Sequence, residues 1–282
     1  MTKKQNERIT KHELRRLSAL LGETEMGCIK HIFMVKYATS NQLQRLFFTK
    51  NSSRLSNIRA CNRMTARLKK HGLIDCLERR IGGERAGSGA TIWTITSAGY
   101  QFLKLDDLDL KATRKRLYEP NILFLEHSLG IGEVYVRLKE MEQQNKISLI
   151  NVEFESKCWR VYSENNVARF LKPDLYVNLH ITEWEQFYWF EVDNNTENPK
   201  RIIRKAKEYI KFINSGVIQR QIGVIPFTVW IVPNIKRREQ LLRYIHEAIP
   251  KAEMLFRVIT LDELEMLIAG AEKKEADDKQ NL

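Results

Sequence analysis

The chain has 282 residues, 43% of them apolar, and a formal net charge of +12. That length accommodates two domains of ordinary size, and no apolar run approaches the ~20 residues needed to span a bilayer. The opening residues Met1-Thr2-Lys3-Lys4-Gln5-Asn6 lead into no apolar stretch, so no secretion signal is read there. Four scattered cysteines (Cys28, Cys61, Cys76, Cys158) lack a CxxC spacing and read as reduced thiols of a cytoplasmic protein, not as a zinc site or disulfide frame.

The charge is uneven. Residues 1–105 hold 20 Lys+Arg against 7 Asp+Glu, whereas residues 106–282 hold 27 against 28. The basic excess therefore belongs to the first part of the chain, where a polyanion would dock, with DNA the leading candidate. A basic surface that only aids solubility is the plainer alternative.

In chain order, residues 11–21 and 26–36 read as helices, the second largely apolar. Ser40 is a candidate cap for a third helix, 41–48, which places Leu43, Leu46 and Phe47 on one face. A fourth helix, 56–71, directs Ile58, Cys61, Thr65 and Leu68 inward and leaves Arg59, Arg63, Arg67 and Lys70 on other faces. Gly72 ends it. Residues 73–79 and 90–95 read as strands joined by the glycine-rich, basic segment 82–89, and 96–103 begins another helix. Helices followed by a glycine-tipped hairpin and Ile95-Thr96-Ser97-Ala98-Gly99 resemble a bacterial winged helix-turn-helix. The resemblance implies a helix in the major groove bearing Arg59, Arg63, Arg67 and Lys70, and a wing contacting the backbone through Arg79, Arg80 and Arg85. Use of such a domain for protein contact is the competing reading.

Residues 106–120 read as a charged linker, residues 121–270 as a second domain, and residues 271–282 as a polar, disordered tail. The second domain opens on a long helix, 121–144, with an inward stripe of Leu125, Leu129, Gly132, Val136 and Leu138. His127 and Glu133 are its polar inward candidates, although a histidine on an apolar helix is more often a core residue than a ligand. Strands are expected at 147–154, 170–179, 186–192, 222–232 and 254–259, with helices at 201–213, 235–248 and 261–270, the last capped by Thr260. This order suits a mixed sheet between helices, an α/β architecture.

The chemistry-bearing stretch is Lys172-Pro173-Asp174, then Glu191-Val192-Asp193-Asn194-Asn195-Thr196 at a strand end, then a helix bearing Lys205 and Tyr209. Acids at strand ends are common, and it is the combination that signals. The layout resembles a PD-(D/E)xK nuclease core, the restriction-endonuclease-like fold. The resemblance implies a catalytic set of Asp174, Glu191, Asp193 and Lys205. Glu133, Asp174 and Glu191 are the ligands if a metal binds, and Mg²⁺ or Mn²⁺ suits such oxygens. The slot that carries the core's lysine holds Asp193 here, with Lys205 as a displaced substitute. An extra negative charge where a phosphate must approach marks the site as degenerate.

Winged helix, His127-Ser128-Leu129, Lys172-Pro173-Asp174, the Glu191–Thr196 strand end and the Lys205…Tyr209 helix together resemble the replication-relaxation family of plasmids and integrative elements. The likeness covers roughly residues 26–261. It implies a double-stranded DNA-binding accessory protein in replication, DNA relaxation or conjugative mobilisation. It further implies a homodimer on a repeated site and a relaxase or replication initiator as partner, away from any membrane. An active metal-dependent endonuclease or nickase, and a winged-helix transcriptional regulator, are the alternatives.

Overall fold

The computed structural model describes residues 9–49, 53–78, 90–105 and 120–270. They form two compact units, Met1–Val136 and Arg137–Leu282, with the division falling inside a long helix. The expected wing arginines Arg79, Arg80 and Arg85, most of the linker and the C-terminal tail lie outside the described residues.

In the first unit, α1 (Lys11–Leu20) starts from a reciprocal cap. Thr10 Oγ1 accepts from the Glu13 amide at 3.2 Å, and Glu13 accepts from the Thr10 amide at 2.8 Å. α2 (Glu23–Val35) buries Cys28, Ile29, His31, Ile32 and Val35. A three-residue strand, β1 (Tyr37–Thr39), follows it. The cap of α3 (Ser40–Phe47) is Thr39, not Ser40. Thr39 Oγ1 accepts from the Gln42 amide at 3.1 Å, while Ser40 Oγ accepts from Trp93 Nε1 at 2.9 Å. The shift is physical: the cap must keep extended backbone angles, and Thr39 does so as the last residue of β1.

α4 (Arg54–Lys70) buries Asn57, Cys61, Met64, Thr65 and Leu68. Ile58, expected to face inward, is 36% exposed, and Asn57 is the buried residue of that turn. Gly72, at φ +69°, ends the helix in the left-handed region. β2 (Ile74–Cys76) and β3 (Ile92–Ile95) pair antiparallel, and β3 also pairs with β1, giving the order β1-β3-β2. α5 (Ser97–Leu103) is capped by Thr96, whose hydroxyl accepts from the Gly99 amide at 3.0 Å and also reaches the Gly72 carbonyl. Gly99 presses on β2's entry so closely that a Cβ there would lie 2.0 Å from the Leu73 carbonyl oxygen. The glycine of Thr-Ser-Ala-Gly is therefore needed for close approach. The first part of α6 (Ile122–Gln143) packs Leu125 and Leu129 against Leu77 and Ile92, and Tyr135 stacks on His31 at 5.4 Å.

The second unit is built on a five-stranded mixed sheet. Its strands are β4 (Ser148–Phe154), β7 (Leu175–Ile181), β8 (Trp184–Val192), β9 (Phe227–Val232) and β10 (Phe256–Thr260), in the order β10-β9-β8-β7-β4. β4, β7 and β8 are antiparallel, while β8, β9 and β10 are parallel. Parallel neighbours need crossovers. α7 (Pro199–Asn214) and the short α8 (Val217–Ile222) link β8 to β9, and α9 (Ile235–Ala248) links β9 to β10. One sheet face packs Tyr176, Trp189, Trp230, Val232 and Val258 against Ile202, Tyr209 and Phe212 of α7 and Leu241 and Ile245 of α9. Each such buried aliphatic side chain stabilises by about 1.5–3 kcal/mol.

Two expectations need correcting here. The strand read at 170–179 is broken at Lys172-Pro173-Asp174. Its first part belongs to a separate hairpin of β5 (Arg160–Glu164) and β6 (Val167–Leu171), because proline donates no ladder hydrogen bond. The apolar run at 222–232 is likewise part turn and part strand, since Pro226 precedes β9. Thr260 does sit at the start of the closing helical segment, its amide donating to Glu263 at 2.8 Å.

Candidate functional site

Asp174, Glu191 and Asp193 project from the sheet face covered by α7 and α9. The alternation of β8 sends Trp189, Glu191 and Asp193 to that side, and the register pairing Leu175 with Phe190 brings the Asp174 end of β7 alongside. All three acids are buried, with exposures of 5%, 1% and 2%. A buried carboxylate requires partners, and each has them. Asp174 Oδ2 accepts from the Val192 amide at 2.8 Å. Glu191 is held by Lys205 Nζ on one oxygen and by the Tyr209 hydroxyl on the other. Lys205 Nζ also lies 3.7 Å from Asp174 Oδ1. Lys205 and Tyr209 are one turn apart on α7, the spacing that points both at one spot.

Asp193 is held separately. Its Oδ2 accepts from Arg237 Nε at 2.6 Å, and its Oδ1 accepts from the Asn195 amide at 3.1 Å. Asn195 takes a left-handed conformation, φ +64°, which asparagine tolerates. Arg237 is itself buried, and its second nitrogen donates to the Glu197 carbonyl at 2.7 Å. Sequence reading missed Arg237. It lies 44 residues from Asp193, and its place in the first turn of α9, after the Asn234 cap, carries no mark of that pairing.

Burial pushes the Glu191 carboxyl well above the usual range; Lys205 opposes this and Asp174 adds to it. Burial alone would lower Lys205, but Glu191 and Asp174 outweigh it and hold the ammonium protonated. Burial, then Glu191, raise the Tyr209 phenol well above its ordinary value, keeping it a donor. The arrangement is a closed carboxylate–ammonium–phenol cluster. A divalent cation ligated by Asp174 and Glu191 would meet the Lys205 ammonium already on both acids and the Tyr209 hydroxyl on Glu191. In this arrangement both acids are already engaged by protein donors. Glu133 lies in the first unit, where it accepts from Arg45 at 2.5 Å and from Gln42 Nε2 at 3.2 Å.

The basic candidates lie on α4. Arg59, Arg63 and Lys70 are exposed, with no acidic partner among the described residues. Arg67 is tied back instead, 3.0 Å from Glu25 and bonded to the Leu20 carbonyl at 3.3 Å.

A family model described as replication-relaxation matches residues 29–228, from α2 to the start of β9. The chain belongs to the replication-relaxation family. The match reaches into both units and takes in α4, the Asp174–Glu191–Lys205–Tyr209 cluster and Asp193, and it ends before Arg237. No curated protein and no solved structure matches the chain at a significant level. Membership in the replication-relaxation family points to a role in replication or relaxation of mobile elements. No described helix is long and apolar enough to cross a membrane.

Proposed function

We propose that this replication-relaxation protein is a double-stranded DNA-binding accessory factor of a plasmid or integrative element, with a winged-helix first unit and a degenerate PD-(D/E)xK-like second unit. The observation that carries the reading is the exposed face of α4, where Arg59, Arg63 and Lys70 stand without acidic partners among the described residues, in the basic part of the chain. The succession α3, α4, β2, β3, α5 is the order of a winged helix-turn-helix, in which the helix before the hairpin enters the major groove. The second unit has the strand, strand and helix order of the nuclease core. Its acids are engaged by Lys205, Tyr209 and Arg237, which favours a structural or binding role over hydrolysis. A relaxase or replication initiator is the partner class that fits, with a homodimer on a repeated site.

The test is a mobility-shift titration with plasmid origin and transfer-region fragments across a salt series. Arg59→Ala with Arg63→Ala should weaken binding and reduce the salt slope by about 2, one unit per lost phosphate contact. Wild-type affinity and slope in that variant would refute duplex reading by α4. A supercoiled-plasmid assay with Mg²⁺ or Mn²⁺ should show no nicking. Nicking that disappears in Asp174→Asn would replace the accessory reading with a metal-dependent endonuclease.

A further inference from the structure

The β5–β6 hairpin stands apart from the main sheet as its own two-stranded ribbon. Its inner face is anchored. Tyr162 and Leu171 join the buried core, Tyr162 meets Phe212 of α7 edge-on at 5.6 Å, and Lys211 of α7 lies 2.8 Å from Glu164. The base of the ribbon is clamped to the acidic cluster. Cys158 Sγ donates to the Pro173 carbonyl at 3.0 Å, one residue before Asp174.

The outer face has no such cover. The register pairs Val161 with Phe170, and their exposures are 56% and 51%. Trp159, two residues before Val161 on the same side, is 37% exposed and is the most open tryptophan among the described residues. Lys172 continues the Phe170 side and lays its ammonium over both rings, 4.6 Å from the Trp159 centroid and 5.8 Å from that of Phe170. Lys157 is exposed nearby in sequence, whereas Arg169 shares the face of Tyr162 and lies 3.4 Å from Glu164. An apolar patch with solvent-facing aromatic rings and a lysine over them marks a binding surface.

We propose that this outer face binds single-stranded DNA, with unpaired bases stacking on Trp159 and Phe170 and phosphates taken by Lys172 and Lys157. Ring faces are what unpaired bases recognise, and the adjoining cations follow the backbone. A duplex keeps its base faces stacked and offers no such surface to the rings. A second copy of the chain on the same patch is disfavoured, because a two-fold contact sets like against like and would bring the cations together. The ribbon's base adjoins Asp174, so a strand bound there would run beside the second unit's acidic cluster. The surface is separate from α4, and the proposal does not depend on duplex binding by the first unit.

The experiment uses the full chain with a labelled oligo(dT) 15-mer and a 15-base-pair duplex in parallel anisotropy titrations. Tryptophan emission is followed on addition of unlabelled oligo(dT). Wild type should bind the single strand with quenching. Trp159→Ala with Phe170→Ala should lose tenfold or more in single-strand affinity and most of the quenching, with duplex affinity unchanged. Lys172→Glu removes no packed ring and serves if the double variant fails to fold; it should weaken the single strand alone. Single-strand affinity equal to wild type in either folded variant overturns the proposal. So does binding without quenching, or a wild-type dimer in sedimentation that the variants dissociate. Loss of duplex binding in the Arg59/Arg63 variant with single-strand binding intact would separate this surface from the reading of α4.

Discussion

Replacing Lys205 by methionine keeps the apolar stem and removes the charge that faces Glu191. The carboxylate is 1% exposed and would be left with the Tyr209 hydroxyl and a nearby Asp174. Breaking a buried ion pair costs about 3–5 kcal/mol. Lys205 keeps 23% of its side chain in solvent, which places the cost at the lower end. Proton uptake also sets a ceiling, because Glu191 escapes the penalty by becoming neutral. From an ordinary carboxyl value near 4.3, at about 1.36 kcal/mol per unit, that ceiling is about 3.7 kcal/mol at pH 7 and about 1 kcal/mol at pH 5. The sign follows from Lys205, which opposes the rise of the Glu191 carboxyl, so that its removal lifts that carboxyl further. A group whose folded value lies above its unfolded one stabilises below the unfolded value, and the benefit disappears as pH rises through the folded value. The variant's deficit should therefore grow as pH rises above the wild-type folded value of Glu191. Urea unfolding followed by tryptophan emission at several pH values measures it, since Trp189 and Trp230 are buried beside Tyr209. Adding Glu191→Gln should recover part of the loss at pH 7. A deficit that is flat with pH, or below about 1 kcal/mol at pH 7, would refute the reasoning.

Gly99→Ala should destabilise the first unit by about 3 kcal/mol or more, because its Cβ meets backbone that has no room to yield; a thermal melt of the variant checks this. His31 is 3% exposed with no hydrogen-bond partner on either ring nitrogen among the described residues, and burial lowers it to about 4. Its neutral form then contributes stability above pH 6.5 that is lost as pH falls toward 4, about 3 kcal/mol in all. His31→Phe should flatten that acid limb in a pH series of melts. Among the thiols, Cys28 and Cys158 are buried and raised by that burial, and Cys61 is pushed up to about 11. A disulfide-exchange reagent should modify Cys76 alone in the native protein, with all four reacting in denaturant.

The sequence showed the helices well because their apolar spacing and caps are local. The stripe of Leu125, Leu129, Val136 and Leu138 is buried along α6, and α9 has the bounds that its pattern indicates. The acids of β7 and β8 were legible as a group because strand alternation and the two strand ends fix their side. β1 was missed since three residues leave no periodicity, and only pairing with β3 defines them. The β5–β6 hairpin did leave a signal. Asn165-Asn166, both at positive φ, separates two runs of strand-forming residues, which is the mark of a tight hairpin turn. The partners of the acids divide the same way. Lys205 and Tyr209 announce themselves by helical spacing, whereas Arg237 is set by tertiary packing alone.

The pair formed by Asp193 and Arg237 couples the end of β8 to α9, so neither charge can change alone without leaving the other buried and unpaired. A single change of Asp193 to lysine would set two cations together in a nearly dry pocket, with the Asn195 amide also losing its acceptor. Thermal melts of Asp193→Lys alone and combined with Arg237→Glu should show the single variant as the less stable of the two. The aspartate is thus locked in by its neighbour, and the two positions tolerate a reversal of sign only together.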